Sequence, residues 1–439
     1  MRKICSCLTF MPRLSKSAPH LIRFASIAAG IAIFVAPFRS SAGLRGTMLV
    51  LAGAAILVAY HRAGQLRQLL PPYKFLAAAA AAWILTASLW SLLSPSPLES
   101  LSVMKRDVLT PILASLVFYA LTRTRKDMMR WLSVLTAGLI VLTIMIIHEP
   151  FDPQVAMQES EYVTVGLITT WIVTLAPLLA VLLFPSSPGR SWANMLLAFA
   201  LPCVLISAWL SGNRTVWVCF TGMLLVAMMF ATRGRLITRT HRARVLGALG
   251  LLVLMVALLI AAMQFRAQTQ APAGTGPLTF LLQDNRAPIL RVAVDIISEH
   301  PWLGVGYANP ELEGAFTARF EAPWLKNYVQ HAHNVVLDHM LQMGVTGVIV
   351  IVFLFTALAW TFIAQIPLGG LARLAGLCGV ALVTGVFLRN MTDDFFSRHS
   401  VQFFGAAVGM LLGLATHRRE TPALTGLPAV FKPARPVGA

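Results

Sequence analysis

Three short stretches of this chain carry arginine and histidine in settings where they could grip an anion and move a proton. The first is Trp209-Leu210-Ser211-Gly212-Asn213-Arg214-Thr215-Val216-Trp217, a Gly-Asn turn that leaves Arg214 between two apolar runs. The second opens at Asn285-Arg286 and runs to His300-Pro301-Trp302-Leu303-Gly304-Val305-Gly306. The third is His331-Ala332-His333-Asn334, leading into Val335-Val336-Leu337-Asp338-His339-Met340-Leu341. A guanidinium presents a planar fork of donors that matches phosphate or carboxylate oxygens and keeps its charge at any physiological pH. A neutral imidazole can take a proton near neutral pH. Together they suit chemistry in which a phosphorylated group leaves and a hydroxyl loses its proton.

The local patterns say how each residue is held. Arg214 sits at a membrane–water boundary, where it either snorkels to lipid phosphate or forms an anion clamp at fixed depth. Asp284 is an expected N-cap for a helix over 285–299, with Pro288 in the first turn and Pro301 as the stop. Arg286 then lies at a helix N-terminus, where free N–H groups and the macrodipole already favour phosphate. Arg291 is five residues on, about 140° round the helix, so the two guanidiniums do not share one oxygen from this element alone. Arg291 either adds to the pocket or is solvated or paired with Asp295. The Gly304-Val305-Gly306 turn lacks the strand–loop–helix context of a nucleotide site and is read as a close approach of backbones. Asn334 is an expected N-cap, which puts His333 just before a helix start. There the dipole disfavours imidazolium and leaves the ring able to accept a proton. His331 and His333 flank one alanine and point different ways, and His339 is read as a packing or interfacial residue.

The elements that must position these residues are membrane helices. The chain is 57% hydrophobic and 12% charged, with a mean hydropathy of +0.74, which excludes an ordinary soluble core. Runs of about 17–25 apolar residues suffice to cross a bilayer. The candidates are 22–37, 46–60, 75–93, 107–121, 131–147, 163–184, 192–210, 215–231, 245–263, 344–364, 371–388 and 400–416. The expected fold is therefore an all-α, polytopic bundle of about twelve spans. It divides into N-terminal spans over 1–263, a polar loop with helices over 264–343, C-terminal spans over 344–416 and a tail over 417–439. The basic apolar start is read as an uncleaved first helix.

Placing both tails on the cytoplasmic side puts 23 of the 35 Lys and Arg inside and 15 of the 17 acidic residues outside. The net charge of +18 is thus a topology signal, and the loop 264–343 falls outside. Nucleic-acid binding is disfavoured, because the arginines are scattered over short inner loops such as Arg233 to Arg244 rather than gathered on a face. None of the five cysteines falls in an outer segment, so no disulfide framework is expected. No Cys/His spacing suggests zinc. The pair Asp393-Asp394 could bind a metal but is better read as pairing with Arg389 or Arg398. A transporter would carry ionisable groups at mid-membrane; the spans look nearly free of them, and the charges gather at the outer boundary.

These motifs resemble those of the O-antigen ligase and polysaccharide polymerase superfamily of bacterial envelope proteins. The shared features are the Ser211-to-Arg214 turn before a span, the Arg286-started helix ending in Pro301-x-x-Gly304-x-Gly306, and the His333-Asn334 pair before the next helix. Arg291 departs from the pattern, in which many relatives carry an aromatic residue in the Arg-started helix. The resemblance implies a metal-independent, cofactor-free, inverting transfer of a glycan from undecaprenyl pyrophosphate to an acceptor hydroxyl. His333 would be the general base, with Arg214, Arg286, Arg291, His331 and Asn334 around the substrate. The implied setting is the periplasmic face of a bacterial inner membrane, among membrane lipids. Lipid A–core oligosaccharide is the preferred acceptor, with O-unit polymerisation or protein O-glycosylation as alternatives.

Overall fold

The structure, a computed structural model, describes residues 18–148, 165–183, 190–232, 286–309, 311–319, 332–392 and 398–416, with isolated residues 250, 257, 261 and 396. Every described regular element is helical. In chain order these are α1 (Ala18–Phe34), α2 (Ala42–Arg62), α3 (Lys74–Leu93), α4 (Pro97–Met104), α5 (Thr110–Leu121), α6 (Arg125–His148), α7 (Val165–Leu179), α8 (Arg190–Leu210) and α9 (Arg214–Thr232). They continue with α10 (Arg286–Glu299), α11 (Glu311–Arg319), α12 (Val335–Ile363), α13 (Gly370–Asn390) and α14 (Arg398–Thr416). Among the described residues, five helices are long and apolar enough to cross a membrane: α2, α3, α6, α12 and α13. Five shorter apolar helices accompany them, within α1, α7, α8, α9 and α14. The expected run 245–263 lies outside the described residues, apart from isolated positions.

Small residues set the helix contacts. Gly405, Gly409 and Gly413 recur every four residues on α14, and a Cβ at any of them would overlap a carbonyl oxygen of Pro111, Ser115 or Thr122. Within a bilayer, close backbone approach of this kind drives helix association where no hydrophobic effect is available. Between α13 and α9 the glycines instead receive side chains: a Cβ at Gly385 would press on Met223 and one at Gly222 on Leu388. Between these contacts the core is aromatic: Phe355 meets Phe387 and Phe396 at 5.2 and 5.3 Å between ring centroids. The step from α4 to α5 is a π-turn over Lys105–Leu109. Thr110 N–H, which in an α-helix would reach Arg106 O, joins its hydroxyl on Lys105 O, and Pro111 next along has no N–H to give.

Segments assigned to one side by charge meet one another. At one end Tyr73 Oη and Thr416 Oγ1 lie 2.8 Å apart, and Arg123 stacks over Tyr60 at 5.3 Å. At the other end Trp90 Nε1 donates to Leu303 O at 2.7 Å, and Arg45 Nε donates to Gln402 Oε1 at 3.1 Å. The spans are less free of charge than the sequence suggests. Arg389 is fully buried in the last turn of α13, with Nε donating to Thr169 at 3.2 Å. Arg45 is buried in the first turn of α2. Asp393 and Asp394 lie outside the described residues.

The break expected between an amphipathic helix and a span at Gly344 is a kink inside one helix, α12. Gly344 adopts φ 61°, ψ −152°. In a straight helix Leu341 O would accept from Val345 N. Here Val345 N donates to Pro301 O at 3.0 Å, while Leu341 O and Gln342 O accept from Val305 N (2.8 Å) and Gly306 N (3.1 Å). The 301–306 turn thus replaces the hydrogen bonds that the kink removes. A Cβ at Gly344 would overlap the Trp302 carbonyl, and one at Gly304 would meet Leu341 O and the following peptide.

Gly344→Ala therefore combines a left-handed φ, costing about 1–3 kcal/mol, with a backbone clash. Gly64→Ala carries a similar φ of +67° in open space. In melting curves of the detergent-solubilised protein, Gly344→Ala is expected to destabilise far more than Gly64→Ala. Equal effects would mean that the contact with the turn contributes nothing.

Candidate functional site

Arg214 is placed by a turn that closes one helix and opens the next. Ser211 Oγ donates to Ala208 O at 2.8 Å, ending α8. Gly212 takes φ +60°, and Asn213 Oδ1 accepts from Thr215 N at 3.0 Å, capping α9. Arg214 is the first residue of α9 and is half-buried. Next to it, the Thr215 and Thr392 hydroxyls lie 3.2 Å apart. Met391 O, one residue before Thr392, accepts from Asn334 Nδ2 at 3.1 Å. The same Asn334 caps α12, its Oδ1 accepting from Val336 N (3.0 Å) and Leu337 N (3.2 Å). A short path of side-chain and backbone contacts thereby joins the neighbour of Arg214 to the neighbour of His333.

His333 is buried at 8% exposure and adopts φ +53°, a conformation that costs a non-glycine residue about 1–3 kcal/mol. Both flanks hold it there. Asn334 is fixed by its cap and by Met391, and Ala332 N donates to Asp338 Oδ1 at 3.2 Å. Asp338 Oδ2 accepts from Gln342 Nε2 at 2.8 Å. Gln342 Oε1 in turn accepts from Ala308 N at 3.1 Å, just past the Gly304–Gly306 turn. The expected N-cap is thus borne out, and so is the packing reading of His339, whose Nδ1 lies 2.8 Å from Val335 O inside the fold. His331 lies outside the described residues.

α10 begins at Arg286 and ends at Glu299, before Pro301, close to the span read from its sequence pattern. Its buried face is Ile289, Val292, Ala293 and Ile296, in one cluster with Ala332 and Leu341 of the His333 region. Burying an Ile or Val side chain contributes about 1.5–3 kcal/mol, so this face seats α10 beside the start of α12. Arg286 heads that helix; its side chain, like Asp284, lies outside the described residues. Arg291 is exposed on the opposite face, which favours its solvated reading. At the far end Arg319 Nη2 reaches Glu299 Oε2 at 2.6 Å and holds that carboxyl below its usual range.

Two groups do not stand out in the sequence. Asp338 and Gln342 are polar positions one turn apart on an apolar helix, and only that spacing marks them as partners. Lys105 and Arg106 count there as two basic residues among many. In the fold Arg106 Nε donates to Asp107 Oδ1 at 2.8 Å, a bond that raises its already high pKa, and the guanidinium is in electrostatic reach of Tyr307. It therefore lies at the same end of the bundle as the 301–306 turn, where Gly306 packs on Ser94 and Pro95.

Residues 196–352 match the family model described as O-Antigen ligase. The match covers about a third of the chain, and over that stretch the protein is similar to the O-antigen ligase family. The matched span takes in the Arg214 turn, all of α10, the 301–306 turn, His333-Asn334 and the kink of α12. Members are glycosyltransferase-like membrane enzymes acting on lipid-linked polysaccharides. No curated protein matches the chain.

In this frame Asn334 serves chiefly as a brace, since its carboxamide is taken up by the cap and by Met391. Asn334→Asp keeps a good cap but turns a carboxylate oxygen toward the Met391 carbonyl. The lost bond and the facing oxygens are expected to destabilise the protein by about 1–3 kcal/mol, read as a lowered melting temperature. An unchanged melting temperature would show that the Met391 bond is dispensable.

Proposed function

We propose that the chain is an O-antigen ligase, moving O-antigen polysaccharide from undecaprenyl pyrophosphate to lipid A–core oligosaccharide in lipopolysaccharide biosynthesis. The reading places about twelve spans in the bacterial inner membrane, both termini in the cytoplasm and the 264–343 segment in the periplasm. The observation that carries it is the path Thr215–Thr392, Met391–Asn334, which ties the start of α9 to the start of α12. Arg214 and His333, the two residues beside that path, are thereby gathered at one end of the bundle. α10 joins them through Ile289 and Ala332, which share a cluster.

The chemistry follows from these groups. The acceptor hydroxyl oxygen attacks the anomeric carbon of the donor sugar, and the bond from that carbon to the pyrophosphate oxygen breaks. The hydroxyl proton passes to His333, and the electron pair departs with the pyrophosphate. A single displacement inverts the anomeric configuration. Charge gathering on the departing oxygen is met by Arg214 and Arg286, each at the first residue of a helix whose free N–H groups act in the same sense. On this reading His331 adds to the substrate pocket, Arg291 on the exposed face of α10 is solvated, and no metal or cofactor takes part.

Transport of the same lipid-linked glycan is the competing class. The buried Arg389 gives it some substance, because charge within a span suggests a pathway. Yet Arg389 stands in the last turn of α13, two residues from the Met391 carbonyl that Asn334 holds. It belongs to the site end of the bundle, as surface chemistry requires.

Purified protein, lipid-linked O-antigen and lipid A–core are expected to give transfer without nucleotide and in the presence of a chelator. His333→Ala should lower the rate by about 10²–10⁴-fold, the range for loss of a general base. Arg214→Ala should lower it by about 10²-fold or more. Full activity of both variants would remove these assignments. In cells, deletion should leave polymer on its carrier lipid; single repeat units on lipid A–core would indicate a polymerase instead.

A further inference from the structure

We infer that Asp338 and Gln342 form a relay that positions His333, tying the peptide before it to the Pro301–Ala308 turn. The inference rests on the reading of His333 as the proton acceptor, and it concerns residues bonded to the backbone beside it.

Asp338 is almost wholly buried (5% exposed) and on the first turns of α12. One carboxylate oxygen accepts from the N–H of Ala332, the residue that precedes His333. The other accepts from Gln342 Nε2. The orientation of the Gln342 amide is fixed by chemistry: Ala308 N can only donate, so Oε1 must face it, and Nε2 must face Asp338. Gln342 also takes the Gly306 N–H on its backbone oxygen. Ala308, at the far end of the relay, adopts φ +48°, and His333, at the near end, φ +53°. Two left-handed non-glycine residues are therefore held by one side-chain pair. Such backbone persists only where its surroundings over-determine it.

This arrangement has a direction of effect. The turn contacts Gln342, Gln342 contacts Asp338, and Asp338 contacts the backbone that aims His333. A disturbance in 301–308 reaches the imidazole through three hydrogen bonds without touching substrate. Asp338 and Gln342 are positioning residues in this scheme. They set where the base stands.

The donor–acceptor order supplies its own test. Asp338→Asn can still accept from Ala332 N, but its new amide nitrogen then faces Gln342 Nε2, donor to donor. Gln342→Glu alone sets two carboxylates against each other. The double variant Asp338→Asn/Gln342→Glu restores the order. The amide introduced at position 338 accepts from Ala332 N and donates to the carboxylate introduced at position 342, whose second oxygen takes Ala308 N. With full-length protein, lipid-linked O-antigen and lipid A–core, each single variant should lower kcat by about 10–100-fold, with KM for the donor within about twofold. The double variant should recover to within about threefold of the parent.

Melting temperatures are read alongside. If the singles melt like the parent and keep parental kcat, the relay is not a positioning device. If the double variant melts like the parent yet stays as slow as the singles, the hydrogen-bond order is not what matters and the inference falls. Should the singles fail to fold, a folded and active double variant supports the relay, and a folded but slow one overturns it. A double variant that also fails to fold overturns it too, because restored order should restore the fold. His333→Ala is run in the same assay. Activity surviving there removes the base assignment itself, whereas loss there with normal Asp338 and Gln342 variants removes only the relay.

Discussion

The exchange of backbone hydrogen bonds at Gly344 is the constraint on which the site depends. A kink in an apolar helix exposes donors and acceptors that lipid cannot satisfy, each costing about 1–3 kcal/mol or more if left bare. Here the 301–306 turn takes over both the orphaned carbonyls and the orphaned N–H. The fit is possible because two glycines meet, Gly304 on the turn and Gly344 on the helix, neither with room for a Cβ. The consequences of this contact are geometric. The first turns of α12 are set at an angle to the remainder, α10 is brought alongside them, and the peptide of His333 is carried into place.

Around that contact the cations are arranged with some consistency. Arg214 and Arg286 each head a helix, and Lys105 and Arg106 sit in a π-turn at the same end of the bundle. Helix starts ordinarily favour acidic residues; here the first turns of α9 and α10 hold none. An anion brought to this end would meet guanidinium and dipole acting together. Arg389 shows that burial of charge is tolerated at this end too, with Thr169 as one partner.

Much of this is legible in the amino-acid pattern, and the limits have physical reasons. Apolar runs long enough for a bilayer force helices, and the structure has a helix at each of the eleven runs that fall within the described residues. Asn334 and Pro301 announce a cap and a stop because those functions are local, needing only two to four neighbours. The bend at Gly344 is not legible as a bend, since a glycine at a helix boundary and a glycine inside a kinked helix look alike until the 301–306 turn is seen against it. Asp338 is inconspicuous for a related reason: its partners are six residues back and four residues on, and their meaning lies in a turn about thirty residues away. Arg389 reads as a boundary residue because its burial depends on α7 and α9 packing beside it, which no single-span pattern records. Arg286 and His331 stand as the sequence leaves them, their side chains lying outside what the structure describes.

The glycines of α14 carry one last implication. A helix that rests on its neighbour through three bare backbones, spaced a turn apart, works like a rack engaged with a rail. Sliding by one residue would bring Ala406 and Met410 against the carbonyls of Pro111 and Ser115, and there is no gap to receive them. The height at which α14 begins is therefore dictated by atomic size alone. Met391, just past the end of α13, which packs against α14, inherits that height. Steric gearing in the depth of the bundle in this way calibrates a bond made at its rim.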